Sequence, residues 1–439
     1  MTRPVKAVIH GPCEIEGRIA PPPSKSDSHR AVLCASACEG VTVCRNILDA
    51  EDVTSSIRAA RALGAEVDVL EKNDGEFTLR IEGYGGAPEE PEDVIDCGNS
   101  GTTLRLTCGL AAAGEHRTIL TGDESLRSRP VGHLCASLRY LGVEAEGRRI
   151  GTEEYPPVTI KGPAKGHEVP VYGHVSSQFI SALLLLGASL GGLKIDVVGT
   201  MKSKPYVELT IRMLSTFGVD VTEEGRRLTV DGRPRSPGVV TVERDWSSAG
   251  YVLALGAAAG RATALGVDPE SPHPDSEIVR ILKEMGARVS VSDEGVTAEN
   301  TGHLEGVDVD LSNSPDLVPT VAALACTAHG ETTIRGVEHV RHKEVDRLAA
   351  LAEELPKFGA EVEELRDGLR IEGAPDSLHG AKVNPRGDHR LAMAFAVVAA
   401  VADGRTVIEN AECVAISYPR FWSDARELGL SVRTEGEGA

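Results

Sequence analysis

The chain has 439 residues, a formal net charge of −20 at pH 7, 41% hydrophobic residues and only 3% aromatic residues. This length allows two or more domains with their own cores, and the acidic balance argues against nucleic acid as a partner. The nine cysteines include no CxxC pair, which indicates reduced thiols. The sequence shows neither a signal-peptide pattern nor an apolar run long enough to span a membrane. Together these features predict a cytoplasmic protein without membrane contact.

The first predicted helix begins in a polar stretch, residues 21–30 (PPPSKSDSHR), and continues as an apolar run towards Gly40. Ser24 can cap this helix, and Lys25 and Arg30 follow within about two turns. A helix N-terminus carries about half a positive charge and several unpaired N–H groups. The stretch therefore predicts an anion site, with phosphate as the expected guest.

A repeat of the same kind then runs along the whole chain. In each copy an amphipathic stretch ends at a glycine that follows an apolar residue. Most copies continue into a hairpin-like pair of short strands. The six glycines are Gly64, Gly142, Gly218, Gly286, Gly359 and Gly429. Their nearly regular spacing predicts six copies of one structural unit.

Each unit also has a second, earlier helix with a polar opening and a body of Ala, Leu, Val and Gly. Helices that are apolar all round are buried, so we expect these six bodies to form the cores and their openings to meet at one end of each domain. The polar openings are residues 24–30, 99–105, 176–181, 245–250, 313–319 and 387–390.

The six units predict two domains of three units each. The first domain is residues 24–243. The second is residues 244–439, completed by residues 1–23, because the sixth unit ends without its last strand and the N-terminal strands are otherwise unassigned. The chain would cross between the domains near residues 21–23 and 233–244, both rich in proline.

Cationic side chains concentrate at the helix openings although the chain is acidic. Such a set requires anionic substrates, and planar guanidinium groups suit both phosphate and carboxylate. The set comprises Lys25, Arg30, Arg105, Arg129, Lys204, Arg341, Lys343, Arg347 and Arg390. Among them stand few carboxylates: Asp316, Glu344 and Asp388. The cations should lower the pKa of Asp316, which suits a base or a charge stabiliser, although a helix cap is an equal alternative.

Eight ordered motifs carry a family resemblance. They are PPSKSDSHR (22–30), GNSGTTLR (98–105), RPVGHL (129–134), VSSQFISALL (175–184), SKPY (203–206), NSPDLVPT (313–320), RHKEVDRL (341–348) and GDHRLAMA (387–394). With these motifs the chain resembles the 5-enolpyruvylshikimate-3-phosphate synthases over nearly its whole length. The resemblance implies an α/β (α+β) fold of two similar domains. Each domain has three βαβαββ units with buried helices, like an inverse α/β barrel, and the active site lies in the cleft between the domains.

The resemblance implies a transferase of the shikimate pathway, which leads through chorismate to the aromatic amino acids. It would move the enolpyruvyl group of phosphoenolpyruvate to the 5-hydroxyl of shikimate 3-phosphate and release phosphate. No metal or organic cofactor is implied, a monomer is expected, and glyphosate is expected to inhibit. The only partners expected are the two anionic substrates.

Site residues follow from the same resemblance, position by position. The implied catalytic residues are Lys25, Asp316, Lys343 and Glu344. Shikimate 3-phosphate is expected at Lys25, Ser26, Arg30, Ser176, Ser177, Gln178, Ser203, Tyr206, Asp316, His339 and Lys343. Phosphoenolpyruvate is expected at Lys25, Gly101, Arg129, Gln178, Arg347 and Arg390. Asp316, helped by Lys343, would take the hydroxyl proton, and either Glu344 or Lys25 would protonate the methylene carbon.

Two positions depart from the family pattern, and two rival functions fit the sequence less well. His339 stands where many members carry an amide, and Ile416 stands where many carry a lysine that contacts phosphoenolpyruvate.

A related transferase acting on a UDP-linked amino sugar carries a reactive cysteine in the loop that corresponds to residues 122–129 here, and this loop has no cysteine. A ring-shaped clamp would need basic helix faces, whereas the bases here stand at helix starts.

Overall fold

The computed structural model describes residues 5–436, which form two compact units. Unit N is Pro23–Glu243, and unit C comprises the described residues up to Pro22 together with those from Arg244 onwards. The outermost parts of the predicted second domain, residues 1–4 and 437–439, lie outside the described residues. The chain passes between the units after Pro22 and after Glu243.

The described residues contain twelve α-helices and six short 3₁₀ helices. The α-helices are α1 (Lys25–Ala37), α2 (Glu51–Ala62), α3 (Gly101–Ala111), α4 (Gly132–Tyr140), α5 (Ser177–Leu190), α6 (Lys204–Thr216), α7 (Trp246–Ala259), α8 (Ile278–Glu284), α9 (Val318–Cys326), α10 (Arg347–Glu354), α11 (His389–Val401) and α12 (Phe421–Glu427). The 3₁₀ helices are Leu126–Ser128, Pro274–Glu277, Pro315–Leu317, Glu338–His342, Leu355–Phe358 and Ala411–Ile416.

Twenty-four strands accompany the helices within residues 5–436. In unit N they are β3 (Glu39–Leu48), β4 (Glu66–Asn73), β5 (Glu76–Tyr84), β6 (Ile95–Asp96), β7 (Arg117–Thr121), β8 (Glu144–Ile150), β9 (Glu153–Lys161), β10 (Glu168–Tyr172), β11 (Gly192–Val198), β12 (Asp220–Glu224), β13 (Arg227–Asp231) and β14 (Val239–Thr241). In unit C they are β1 (Lys6–Gly11), β2 (Ile15–Ile19), β15 (Gly260–Leu265), β16 (Arg288–Ser292), β17 (Gly295–Glu299), β18 (Asp308–Asp310), β19 (Glu331–Arg335), β20 (Glu361–Leu365), β21 (Gly368–Glu372), β22 (Lys382–Val383), β23 (Gly404–Ile408) and β24 (Val432–Glu435).

The strands form six small four-stranded sheets, three in each unit, and all six share one pattern. A parallel pair is followed by two antiparallel strands, as in β10-β11-β13-β12. The other orders are β14-β3-β5-β4, β6-β7-β9-β8, β2-β15-β17-β16, β18-β19-β21-β20 and β22-β23-β1-β24. The predicted α/β fold class, built from repeated small units, is thereby confirmed.

Three sheets contain strands from distant parts of the chain. Strand β1 lies antiparallel between β23 and β24, so that Ala7 is the register partner of both Ile408 and Thr434. Strand β2 pairs in parallel with β15, and β14 pairs in parallel with β3. The N-terminal segment is therefore built into two sheets of unit C, and β14 completes the first sheet of unit N.

The first helix of each repeat is buried almost throughout, as its Ala, Leu and Val composition predicts. In unit N these are α1, α3 and α5, and in unit C they are α7, α9 and α11. A Cβ atom at Gly109 of α3 would lie 2.1 Å from the Ala182 carbonyl oxygen of α5, so only glycine allows this close approach.

The caps of these buried helices differ between the units. Helices α1, α3 and α5 are capped by serines: Ser24, Ser100 and Ser176. Helices α7 and α11 are capped by the carboxylates of Asp245 and Asp388. The caps in unit N are therefore uncharged, although α1 carries Asp27 in its first turn, whereas two caps in unit C are negatively charged.

Two global features bear on the environment of the chain. All nine cysteines are free thiols, and eight of them are buried. Within residues 5–436, no helix combines the length and the apolar character needed to cross a lipid bilayer.

Candidate active site

In unit N, Lys25 lies at the first position of α1. The cap of this helix, Ser24, accepts a hydrogen bond from the Asp27 amide at 3.2 Å. Lys25 Nζ lies 3.1 Å from Asp52 Oδ2 of α2, and 14% and 8% of the two side chains are exposed. The ammonium group is thus oriented by a nearly buried carboxylate while standing at a helix N-terminus, where anions are favoured.

Arg30, five residues further along α1, is buried and fully engaged by the protein. Its Nε donates to Thr210 Oγ1 at 2.8 Å, Nη1 to the Ser26 carbonyl at 2.7 Å, and Nη2 to the Tyr206 carbonyl at 2.9 Å. Arg30 thereby fixes α1 to α6. At the start of α6, the predicted site residue Ser203 is buried with a φ of 52°, a left-handed conformation that costs energy and is enriched at functional sites.

Two further guanidinium groups flank the start of α3. Arg129 donates to the carbonyl and the side-chain oxygen of Asn99 at 3.2 and 2.6 Å, and to Ser125 Oγ at 3.0 Å. A Cβ atom placed on Gly101 would lie 3.0 Å from Arg105 Nη1 and 3.3 Å from Arg129 Nη1. Gly101 therefore lies close to two guanidinium groups at a helix N-terminus, and a side chain there would crowd them.

Gln178, in the first turn of α5, joins this group. Its Oε1 accepts from Arg105 Nη1 at 2.5 Å, and its Nε2 donates to Thr102 Oγ1 at 2.9 Å. Ser176 caps α5 by accepting from the Gln178 amide, and Ser177 is buried beside it. The first turns of α3 and α5 are thus tied together, as expected if helix openings meet at one end of the unit.

In unit C, the centre of the charged cluster is Asp316, in the 3₁₀ turn before α9. Its carboxylate accepts from Arg347 Nη1 at 2.8 Å and Arg390 Nη2 at 3.0 Å, and Lys343 Nζ lies 3.3 Å away. The residue at the cap position of α9 is Leu317, so Asp316 does not occupy the cap of that helix.

The three cations set the protonation state of Asp316. Burial raises the pKa of its carboxyl, but Arg390, Lys343 and Arg347 outweigh burial and hold that pKa well below its usual range. Asp316 is therefore ionised at neutral pH, and in this arrangement it is a weak proton acceptor.

Arg347 connects the carboxylates of the cluster and is only 1% exposed. Its Nε donates to Asp388 Oδ2 at 2.8 Å and its Nη2 to Glu344 Oε2 at 2.9 Å, in addition to the bond to Asp316. Burial lowers the pKa of Arg347, but the three carboxylates outweigh it and hold the pKa well above its usual range. Asp388 also caps α11 by accepting from the Arg390 amide at 2.9 Å.

The remaining predicted site residues of unit C lie around two 3₁₀ helices. His339 is half-buried in the helix Glu338–His342, and Lys343 ends that helix with 30% of its side chain exposed. Ile416 ends the helix Ala411–Ile416, where it is partly buried and packs against the apolar core of unit C.

Two cations predicted at the openings are instead engaged by surface carboxylates. Lys204 pairs with Glu223 at 3.0 Å and Glu208 at 3.6 Å, and Arg341 pairs with Glu364 at 2.6 Å and Asp346 at 3.0 Å. The structure does not bring these two into the clusters around Lys25 or Asp316.

Sequence reasoning missed three side chains that hold the clusters in place: Asp52, Asn99 and Thr102. Asn99 and Thr102 lie inside the GNSGTTLR motif, which could have pointed to them. Asp52 stands 27 residues from its partner Lys25, and no local pattern marks it as an ion-pair partner.

Comparison with known proteins agrees with the geometry. Residues 9–424 match the family model of EPSP synthase (3-phosphoshikimate 1-carboxyvinyltransferase). A 3-phosphoshikimate 1-carboxyvinyltransferase from Methanopyrus kandleri is 59% identical over 428 residues, which cover 97% of this chain and 99% of the relative. One from Halorubrum lacusprofundi is 42% identical, with 97% and 98% of the two chains covered.

A solved structure points the same way. The EPSP synthase from Acinetobacter baumannii superposes with a TM-score of 0.82 at 27% identity, over 99% of this chain and 100% of that one. The match thus extends over both units and all eight motifs, and the chain belongs to the EPSP synthase (3-phosphoshikimate 1-carboxyvinyltransferase) family, a family of shikimate-pathway transferases.

Proposed function

We propose that the residues around Lys25 in unit N and those around Asp316 in unit C take part in one transfer reaction. There the enolpyruvyl group of phosphoenolpyruvate passes to the 5-hydroxyl of shikimate 3-phosphate and phosphate leaves. The observation that carries this proposal is Asp316, a carboxylate bonded to two guanidinium groups and close to an ammonium group. Such a set can hold two anions and still offer one base. The proposed enzyme acts as a cytoplasmic monomer.

Shikimate 3-phosphate is assigned mainly to unit N, where the buried helices start at uncharged serine caps. Lys25 and the hydroxyl groups supply donors for the phosphate, while Arg30 braces the helix that presents them. The proposed set is Lys25, Ser26, Arg30, Ser176, Ser177, Gln178, Ser203 and Tyr206, joined from unit C by Asp316, His339 and Lys343.

Phosphoenolpyruvate carries a carboxylate and a phosphate, and bidentate guanidinium groups suit both. The close approach of two guanidinium groups, those of Arg105 and Arg129, to Gly101 at the start of α3 supports a place for one of these anions. The proposed set is Lys25, Gly101, Arg129, Gln178, Arg347 and Arg390.

In the proposed reaction, the substrate oxygen bonds to carbon 2 of phosphoenolpyruvate as its proton passes to Asp316, assisted by Lys343. The methylene carbon receives a proton from Glu344 or Lys25, which gives a tetrahedral adduct. The methyl group of the adduct then returns one proton to the residue that supplied it, while the bond between carbon 2 and the phosphate oxygen breaks, which gives product and phosphate. Substrate anions that pair with Arg390 and Lys343 weaken their hold on Asp316, and so strengthen the base only when the site is loaded.

The test is direct. The protein is incubated with phosphoenolpyruvate and shikimate 3-phosphate, and phosphate release is followed together with the enolpyruvyl product. A parallel reaction contains a UDP-linked amino sugar in place of shikimate 3-phosphate. Phosphate release with the amino sugar, and none with shikimate 3-phosphate, would overturn the proposal.

Replacing Gly101 with Ala should weaken inhibition by glyphosate more than it raises the KM for phosphoenolpyruvate. The added Cβ meets the flexible ends of Arg105 and Arg129 at 3.0 and 3.3 Å, so these ends must shift by a few tenths of an ångström. A smaller substrate tolerates this shift better than a bulkier competitor. The inhibition constant and the KM are measured on both proteins, and a parallel rise in both would contradict the assignment of Gly101.

Replacing Ile416 with Lys should lower the KM for phosphoenolpyruvate several-fold with little change in kcat. A cation added at the end of the helix Ala411–Ile416 strengthens the anion site, and a partly buried stem can still extend its charge to water. The gain should shrink as salt is raised, since added ions screen the charge. An unchanged KM with a lower melting temperature would show that Ile416 serves only the core.

A further inference from the structure

The loop of unit C that precedes α11, residues 384–388, contains two consecutive residues in the left-handed conformation. Arg386 has a φ of 57° and Gly387 a φ of 83°. Glycine adopts this conformation freely, whereas an arginine stays in it only where its surroundings hold it there. The loop ends at Asp388, which caps α11 by accepting from the Arg390 amide. The contacts that hold this loop therefore bear on the position of Arg390.

The side chain of Asn384 fastens the loop at its first residue. Its Oδ1 accepts hydrogen bonds from the Arg386 amide at 2.7 Å and from Asn410 Nδ2 at 3.1 Å. Asn410 is also left-handed, with a φ of 49°, and stands at the cap position of the 3₁₀ helix Ala411–Ile416. One amide oxygen therefore joins the loop before α11 to the start of the helix that ends at Ile416.

Helix α10 fastens the same loop at both of its ends. Glu354, the last residue of α10, is nearly buried, and its Oε2 accepts from the Asn384 amide at 3.0 Å and from Lys357 Nζ at 2.7 Å. Arg347, the first residue of α10, donates to Asp388 at 2.8 Å. Arg347 and Glu354 are about two helical turns apart, and so lie on one face of α10. A single helix thus fixes the distance between the two ends of the loop.

We propose that Asn384 and Glu354 are positioning residues for phosphoenolpyruvate, because they hold the loop 384–388 in the shape that places Arg390. Arg390 is assigned to this substrate and bonds Asp316 at 3.0 Å. Loss of either contact lets the loop relax from its left-handed conformation, and the start of α11 then shifts with it. A guanidinium group pairs strongly with an anion only in a narrow range of geometries, so binding of phosphoenolpyruvate weakens. This inference rests on the proposed function.

The first test is Asn384→Ala, which removes the shared acceptor and leaves the backbone amide for Glu354. The KM for phosphoenolpyruvate should rise about fivefold, while kcat and the KM for shikimate 3-phosphate stay within about twofold of the wild type. Asp316 keeps its contacts with Arg347 and Lys343, so the base and the second substrate are little affected. Ordinary loss of stability would reduce the fraction of active enzyme, and so kcat, without raising one KM alone.

The second test is Glu354→Met, alone and combined with Asn384→Ala. Alone it should raise the same KM by a similar factor. Because Glu354 reaches the loop through Asn384, the double variant should raise this KM by less than the product of the two single effects. A full product would show that the two residues act independently, and would overturn their joint role. If Glu354→Met does not fold, Asn410→Gly takes its place, since it removes the other partner of Asn384 while glycine keeps the left-handed backbone.

A matched control is Asn300→Ala in the same unit. Asn300 also accepts from the amide two residues further on, that of Gly302, and its Nδ2 donates to the Ala258 carbonyl in the last turn of α7. This control should keep both KM values within about twofold even if its melting temperature falls. An inactive wild-type protein would refute the proposed function itself. An active wild type with an unchanged KM for phosphoenolpyruvate in Asn384→Ala, or with both KM values raised equally, would overturn the positioning role alone.

Discussion

Replacing Asp316 with Asn should lower kcat by about 10²–10⁴-fold, while shikimate 3-phosphate still binds within a few-fold of the wild-type affinity. Arg347 and Arg390 donate to different oxygens of the carboxylate, at 2.8 and 3.0 Å, and the amide oxygen can still accept from one of them. The amide NH2 group faces the other arginine, and the amide cannot accept a proton. Steady-state kinetics with both substrates gives kcat, and calorimetric titration with shikimate 3-phosphate alone gives the affinity.

The control for the loss of kcat is a carboxylate of the same unit that caps a helix. Asp346 caps α10 by accepting from the Ala349 amide and pairs with Arg341. Asp346→Asn keeps a good cap, so it should retain kcat within about twofold. Equal losses of kcat and of shikimate 3-phosphate affinity in the Asp316 variant would show that Asp316 only binds substrate.

Replacing Arg347 with Met should destabilise the protein by about 3–5 kcal/mol and abolish activity. This arginine is 1% exposed and bonded to Asp316, Glu344 and Asp388. Its loss leaves three carboxylates without their shared cation in a region from which water is largely excluded. Thermal melting at pH 7 measures the loss, and Arg341→Met, which removes surface ion pairs, should cost no more than about 1 kcal/mol.

The stability lost in Arg347→Met should also depend on pH. The pKa of Asp316 is lowered in the folded protein, so its ion pairs stabilise the fold above the unfolded pKa of about 3.9. That contribution disappears as the pH falls through the still lower folded pKa. The gap in melting temperature between wild type and Arg347→Met should therefore narrow below about pH 4. A gap that is constant with pH would mean that Arg347 stabilises the protein by packing.

Many helix ends and buried helices could be predicted from the sequence because short local patterns mark them. A glycine after an amphipathic stretch marks a helix end, and the glycines Gly64 and Gly359 do end helical segments with a positive φ. Runs of Ala and Leu behind polar openings predicted the buried helices, and Ser24 caps α1 as expected. The division into six units followed from repetition of these local signals, whereas the α/β fold class was implied by the family resemblance.

Pairings between distant residues could not be predicted in this way. A helix opening in the sequence indicates that Lys25 and Arg30 lie near a helix N-terminus. It does not show that Asp52 orients Lys25, or that Arg30 donates a hydrogen bond to Thr210. Likewise, nothing local distinguishes Arg347, whose partners come from three elements, from Arg341, which is held by surface carboxylates. These differences arise from tertiary packing, which hydrophobic periodicity does not encode.

The pairing of β1 with β23 and β24 sets the order in which the chain can fold as it leaves the ribosome. Unit N is a continuous segment, so it is complete once Glu243 has emerged. Strand β1, made first, must wait until residues near 435 exist before its partners are present. Throughout synthesis its exposed edge is therefore open to wrong pairing, and protection of this short segment by chaperones or by rapid completion of the chain becomes a condition of efficient assembly.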